Sequence, residues 1–283
     1  MERFSLFTTS CAALWLLLLA GCANDAKKSA TRAQEQVRAL AAVVREDVRE
    51  VRAGLPLGAA ELAKILPAEG EIDAPTAREA LEKTRNKIQD LRIAKSTFFA
   101  LVAPSGIVIR DDQQQDRLAG KNLIQAFPGL TAALLTNVVI ETRGSMPEAA
   151  EVRGKPDGQW VAAAAVRTGP VARALYATGW SWSAYAYRLE NSARSAARSA
   201  ASAPQKEPLL YAFVIVEGDV YGAPVAPAVN ARAVHEHIDV AKLKEGVPTQ
   251  IELEITGRPF GLAAELAPDL GANVAIAVLR SET

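Results

Sequence analysis

"ALVAPSGIVIRDD", residues 100–112, is the stretch on which the reading of the fold turns. An apolar run enters from Thr97-Phe98-Phe99, breaks at Pro104-Ser105-Gly106, and resumes as Ile107-Val108-Ile109 before Asp111-Asp112. Short apolar runs rich in β-branched and aromatic residues, bounded by turn formers, read as strands. Proline presets φ in the turn and glycine supplies a left-handed position without steric cost. The stretch is therefore a hairpin turning at Gly106. Its strands must be antiparallel, because parallel neighbours need a long crossover between them.

Downstream, "LAGKNLIQAFPGLTAALL" (118–135) follows a helical pattern interrupted at Pro128. "GKPDGQWVAAAAVRTGPVARALYATGW" (154–180) reads as strands joined by Gly-Pro turns, with Pro156 to Gly158 a turn of its own. A helix over 181–202 leads to "LLYAFVIVEGDVYGAPVAP" (209–227), a second strand–Glu-Gly–strand hairpin around Gly218. Alternating runs at 249–266 and 272–280 complete the chain. Upstream, residues 32–53 carry Val37, Leu40, Val44, Val48 and Val51 at three- and four-residue steps, one apolar stripe on a helix that Gly54 and Pro56 should end. Asp47 would break a coiled-coil seam, so packing on the chain's own body is expected. A second helix should start at Pro75 after Asp73-Ala74, with Leu81, Ile88 and Leu91 on one side. The expected class is α+β: long N-terminal helices, then one or two antiparallel sheets flanked by helices.

The hairpin at 100–112, the later "LAGKNL" and "FPGL", and the long helix ahead of them resemble a Cache domain, the extracytoplasmic relative of the PAS fold. The resemblance implies PAS/Cache-like sheets with a small-molecule ligand held against the central strands. It implies a helical segment over 32–96, a first lobe with its linking helix over 97–203, and a second lobe or an extension over 204–283. Two lobes would make a double Cache module.

The N-terminus has its own signature. Arg3 precedes an apolar run from about Ala12 to Ala20, too short for a hydrocarbon core that needs about 20 residues. That is the form of a secretory signal peptide, over 1–21. Leu19-Ala20-Gly21-Cys22 resembles a bacterial lipobox, which implies cleavage before Cys22, acylation of Cys22, and a polar tether over 22–31. Ala23, where Asp would favour the inner membrane, resembles the outer-membrane pattern, facing the periplasm. The chain has two cysteines, Cys11 and Cys22, and Cys11 leaves with the signal, so no disulfide is expected. With 32 basic and 32 acidic residues there is no net charge to draw the chain to nucleic acid.

Candidate sites are few. Tyr176, Trp180, Trp182, Tyr185 and Tyr187 crowd together in a chain that is 6% aromatic. The resemblance implies that aromatic and Arg side chains from these later strands line the ligand, so Arg167, Tyr176 and Trp180 are the expected ligand-binding residues. A small carboxylate or amine suits such a wall. Strand alternation puts Trp160, Ala162, Ala164 and Val166 on one side, and Val161, Ala163, Ala165 and Arg167 on the other. The plainer alternatives are a core stripe of Trp182, Tyr185 and Leu189, and an Arg167 that reaches water at a strand end. "GWSWS" (179–183) lacks the second Gly of a nucleophile elbow. "HEHID" (235–239) could pair His235, His237 and Asp239 on one face of a strand, but exposed loop histidines are the expectation. Asp111, Asp112 and Asp116 read as a solvated acidic loop. No catalytic residue, metal or cofactor is implied, and no enzyme.

Two functions follow. One is a lipid-anchored envelope protein whose Cache-like body senses or binds a small molecule and signals through partner proteins. The other is a structural or assembly lipoprotein that uses its lobes for protein contact.

Overall fold

The computed structural model describes residues 8–150, 157–200 and 207–282, with side chains from Asp25 onward. The side chains of the leader and of Cys22, and Pro156, lie outside the described residues. Two compact units make up the chain: one is Val43–Tyr185, the other Met1–Ala42 with Ala186–Thr283. Helix α1 (Thr8–Ile65) contributes to each.

The unit Val43–Tyr185 holds α2 (Ala74–Lys87), α3 (Gln89–Ile93), and strands β1 (Phe98–Val102), β2 (Val108–Asp111), β3 (Ile140–Gly144), β4 (Gln159–Arg167) and β5 (Ala172–Ser181). They form one antiparallel sheet in the order β2-β1-β5-β4-β3. Gly106 turns the first hairpin at φ 90°, as the sequence requires. Between β2 and β3 lie α4 (Leu123–Ala126), a 3-10 turn at Pro128–Leu130 and α5 (Thr131–Leu135). Asn122 caps α4 by accepting the Gln125 N–H at 2.9 Å. Phe98, Ala100, Val102, Val161, Ala163, Leu175 and Ala177 of the sheet pack with Leu123, Phe127, Leu130 and Met146 in one apolar layer.

The other unit holds β6 (Leu209–Val216), β7 (Asp219–Gly222), α7 (Ala228–His237), β8 (Ile251–Ile255), β9 (Arg258–Leu266) and β10 (Val274–Ser281). The sheet order is β7-β6-β10-β9-β8, again antiparallel throughout. Phe213, Ile215, Leu262, Ala264, Ala275, Ala277 and Leu279 form its core with Val234 and Ile238. Helix α6 (Trp182–Ser199) begins in the first unit and runs into this one. The expected α+β class, with long N-terminal helices and antiparallel sheets on the Gly106 and Gly218 hairpins, is what the chain adopts, and there are two sheets.

Three local expectations need correction. Helix α1 does not stop at Gly54 or Pro56 but runs to Ile65. Leu55, Ala59 and Leu62 extend the buried stripe, while Pro56 is exposed, so the one helical bond it removes lies on the wet side where water replaces it. Residues 25–31 are not a free tether. They are helical, with Ser29 and Ala30 fully buried, because the Ser29 hydroxyl accepts the Glu282 N–H and Arg32 pairs with Glu282 at 3.0 Å. His235 and His237 are exposed, as expected, but in the last turn of α7 rather than in a loop.

Candidate functional site

The β1–β5 sheet has two faces, and alternation along β4 and β5 distributes the candidate residues between them. Trp160 lies opposite Trp180, and Ala164 opposite Tyr176. The two indoles stack at 4.4 Å between centroids, and Trp180 stacks on Tyr185 at 4.6 Å. The Tyr185 hydroxyl donates to Asp47 of α1 at 2.9 Å, in a region where both residues are buried. Further along this face Tyr176 stacks on Phe99 at 5.9 Å, and the Arg85 guanidinium sits 4.7 Å over the Phe99 ring. At Gly58 the α1 backbone comes so near that a Cβ would lie 2.5 Å from Tyr176 Cε1. Burial, with Asp112 nearby, pushes the Tyr176 hydroxyl well above its ordinary pKa. The Tyr176 hydroxyl and Trp180 Nε1 have no hydrogen-bond partner among the described residues.

Arg167 lies elsewhere. At the end of β4 it donates to the Leu134 and Thr136 carbonyls, at 2.6 and 3.1 Å, and to Pro170 at 2.7 Å. It thus closes the C-terminus of α5 and the β4–β5 turn, on the side of Val161, Ala163 and Ala165. Tyr176 and Trp180 are brought together; Arg167 is separated from them by the sheet itself.

The other side of the sheet packs against α4 and α5. Here Phe98, Phe127, Leu130, Leu175 and Met146, each at most 4% exposed, occupy that layer. At its margin lies a cavity of about 20 Å³, lined by Thr97, Phe98, Gln113, Arg117, Leu118 and Glu148 among others. That is space for about one water molecule.

The loop that carries Arg117 is built by the carboxylates that read as a solvated acidic stretch, which corrects that expectation. Asp111 is fully buried and accepts the Gln113 and Leu118 N–H groups at 2.8 and 3.0 Å. Burial raises its pKa, the two N–H bonds oppose that, and Asp116 and Asp112 add to the rise. Asp116 accepts the Asp111 N–H and pairs with Arg110. Asp112 accepts the Phe99 N–H and pairs with Arg85. These side chains are spent on backbone amides and guanidinium groups because the loop has no ladder to satisfy them. Arg117 was not singled out from the sequence, where it is one basic residue in a polar run with no pattern around it.

The remaining sequence candidates resolve simply. Ser181, the central serine of "GWSWS", is buried and accepts the Ala184 N–H at 3.3 Å, which starts α6. His235 Nδ1 sits 3.0 Å from the Gly218 carbonyl, and His237 Nδ1 2.8 Å from that of Ala233. Among the described residues no cluster of His, Cys, Asp and Glu gathers to hold a metal. An open groove of about 370 Å³ runs over the first turns of α2, lined by Arg78, Glu79, Glu82 and Arg110.

No protein-family model and no curated protein matches the sequence. Solved structures do match. Two of them, both domains of bacterial or kinase receptors by their description, are similar in fold. The extracellular domain of vpHK1S-Z8, described as a histidine kinase, aligns over 92% of this chain and 93% of its own, at 10% identity and TM-score 0.54. The ligand-binding domain of the Campylobacter jejuni chemoreceptor Tlp3, in complex with 4-methylisoleucine, aligns over 90% and 92%, at 10% identity and TM-score 0.51. At such identity the likeness is one of fold.

Proposed function

We propose that the chain is an extracytoplasmic sensory module that binds a small molecule and is held at the cell envelope by acyl groups on Cys22. The observation that carries this reading is the two-sheet architecture behind a long helix, shared with sensory domains over nine-tenths of both chains. The neighbours are receptor domains, which supports a non-enzymatic role. The lipobox-like Leu19-Ala20-Gly21-Cys22 supports anchoring, and Ala23 supports the outer membrane with the body in the periplasm. A signal leaves through partner proteins. Several acyl chains on one cysteine anchor firmly where one alone binds marginally.

Two experiments test the reading. Cys22→Ser should abolish labelling by a fatty-acid probe and release the protein from membranes; unchanged labelling rejects the anchor. A thermal-shift screen of small metabolites against the periplasmic body should find a stabilising ligand, worth about 2.7 kcal/mol at a hundred times its Kd.

A second reading, a structural or assembly lipoprotein, is favoured by one observation. The α4–α5 layer is filled by Phe98, Phe127, Leu130 and Leu175. If no metabolite class stabilises the body while envelope proteins co-purify with the acylated chain, this second reading holds.

A further inference from the structure

Trp160, Trp180 and Tyr185 form a continuous stack of rings inside the Val43–Tyr185 unit. Successive ring planes lie 16° and 15° apart, and all three residues are 1% exposed. Rings in van der Waals contact exchange electrons readily, because their π-systems overlap directly. The members of the stack differ in what they can do with a proton. Tyr185 donates its hydroxyl to the Asp47 carboxylate of α1 at 2.9 Å, whereas Trp180 Nε1 has no hydrogen-bond partner among the described residues. An indole that loses an electron there keeps its proton and carries a positive charge in the interior, which is costly. A phenol that loses an electron becomes a strong acid, and Tyr185 has a base in place. Until then an ordinary phenol holds its proton against a carboxylate.

We propose that Trp160, Trp180 and Tyr185 act as a one-electron relay, with Asp47 as the proton acceptor, that carries oxidation of the buried tryptophans to Tyr185. The substrate class is a one-electron oxidant, such as an inorganic radical, which takes an electron from an indole and is itself reduced. The electron lost from the indole is replaced from Tyr185 through the stack. Tyr185 gives its hydroxyl proton to Asp47 as it gives the electron. The products are an intact indole, a neutral tyrosyl radical and a protonated Asp47. One buried positive charge and one buried carboxylate disappear together, which favours the step where both are costly to hold. This activity is separate from ligand binding and does not rest on the sensory reading.

The test uses the acylated protein in detergent, with hexaamminecobalt(III) as the electron acceptor. Light at the red edge of the indole absorption, where phenol is transparent, removes the first electron from tryptophan alone. Transient absorption and freeze-quench electron paramagnetic resonance then follow the tryptophanyl signal and its replacement by a tyrosyl one. The expected result is conversion in the parent, slower in deuterium oxide, and its loss in Tyr185→Phe, which keeps a ring in the stack and removes the phenol. Asp47→Asn keeps an oxygen for the hydroxyl but no base, and should slow the conversion about a hundredfold. Circular dichroism checks that each variant keeps the parent's fold. No conversion in the parent overturns the relay. Undiminished conversion in Tyr185→Phe overturns it too, since another tyrosine, such as the exposed Tyr187, is then the end point. An equal rate in deuterium oxide overturns the role of Asp47, and that readout on the parent stands even where Asp47→Asn does not fold.

Discussion

Asp111 shows how much a single side chain can organise. It stands at the end of β2 with no exposure, and its two oxygens each accept one backbone N–H, from Gln113 and from Leu118. An amide cannot reproduce that. In Asp111→Asn one oxygen becomes a donor facing another donor, and a buried N–H loses its acceptor. We expect a loss of about 1–3 kcal/mol, read as a lower urea midpoint at unchanged m-value. A variant as stable as the parent would mean that the carboxylate is not what holds the loop. The sequence could not reveal this, because consecutive acidic residues after a strand have the same appearance whether they face water or fold inward. Strand parity was more legible. The Ala-rich run of β4 has period two, so Trp160 and Arg167 had to lie on opposite faces, and they do. What parity could not say was that Trp180 and Tyr176 share their face with α1, since that depends on a helix more than a hundred residues earlier in the chain.

Helix α1 illustrates the same limit for an element. Its stripe of Val37, Leu40, Val44, Val48 and Val51 is buried as its spacing dictates. The glycines that let it approach its neighbours are not on the helix alone. In the second unit, a Cβ at Gly261 of β9 would run into the backbone of Ser29 and Ala30. Nothing at 258–266 distinguishes Gly261 from a strand glycine of no consequence, because its partner is remote in sequence. The clash is with backbone rather than a side-chain tip, so rotamer changes cannot relieve it. Gly261→Ala should cost about 3 kcal/mol, the upper part of the range for overpacked interiors, and lower Tm accordingly. A substitution at Gly54, where a Cβ would meet the Leu91 side chain, should cost less because that chain can rotate. Equal losses at the two positions would contradict the backbone contact. The same packing explains why α1 passes Pro56: the buried side continues unbroken, and only the exposed side loses a bond.

For the whole molecule the informative variable is pH, because opposing carboxylates make the net response a contest. Glu46, Glu61, Asp73, Glu79, Glu148 and Asp239 have lowered pKa values, each held down first by a side-chain or backbone hydrogen bond. Their contribution is present above the unfolded pKa and is lost as pH falls through the folded one. Glu190 of α6 works in the opposite direction. It is 2% exposed, faces Arg194 at 2.8 Å and accepts the Ala212 N–H at 3.3 Å, yet burial outweighs both and raises its pKa. A raised folded pKa means that the native state holds the proton more tightly than the unfolded chain. The stabilisation is therefore full below the ordinary glutamate value of 4.5 and disappears as pH rises through the folded pKa. Glu190→Gln removes this titration and keeps an acceptor for Ala212. The stability of the parent relative to the variant should fall with rising pH above 4.5, then level off, at no more than about 1.4 kcal/mol per pH unit. Thermal melts of both proteins from about pH 4 to pH 8 would reveal it. A difference that does not vary with pH, or that grows as pH rises, would show that Arg194 rather than burial governs the group.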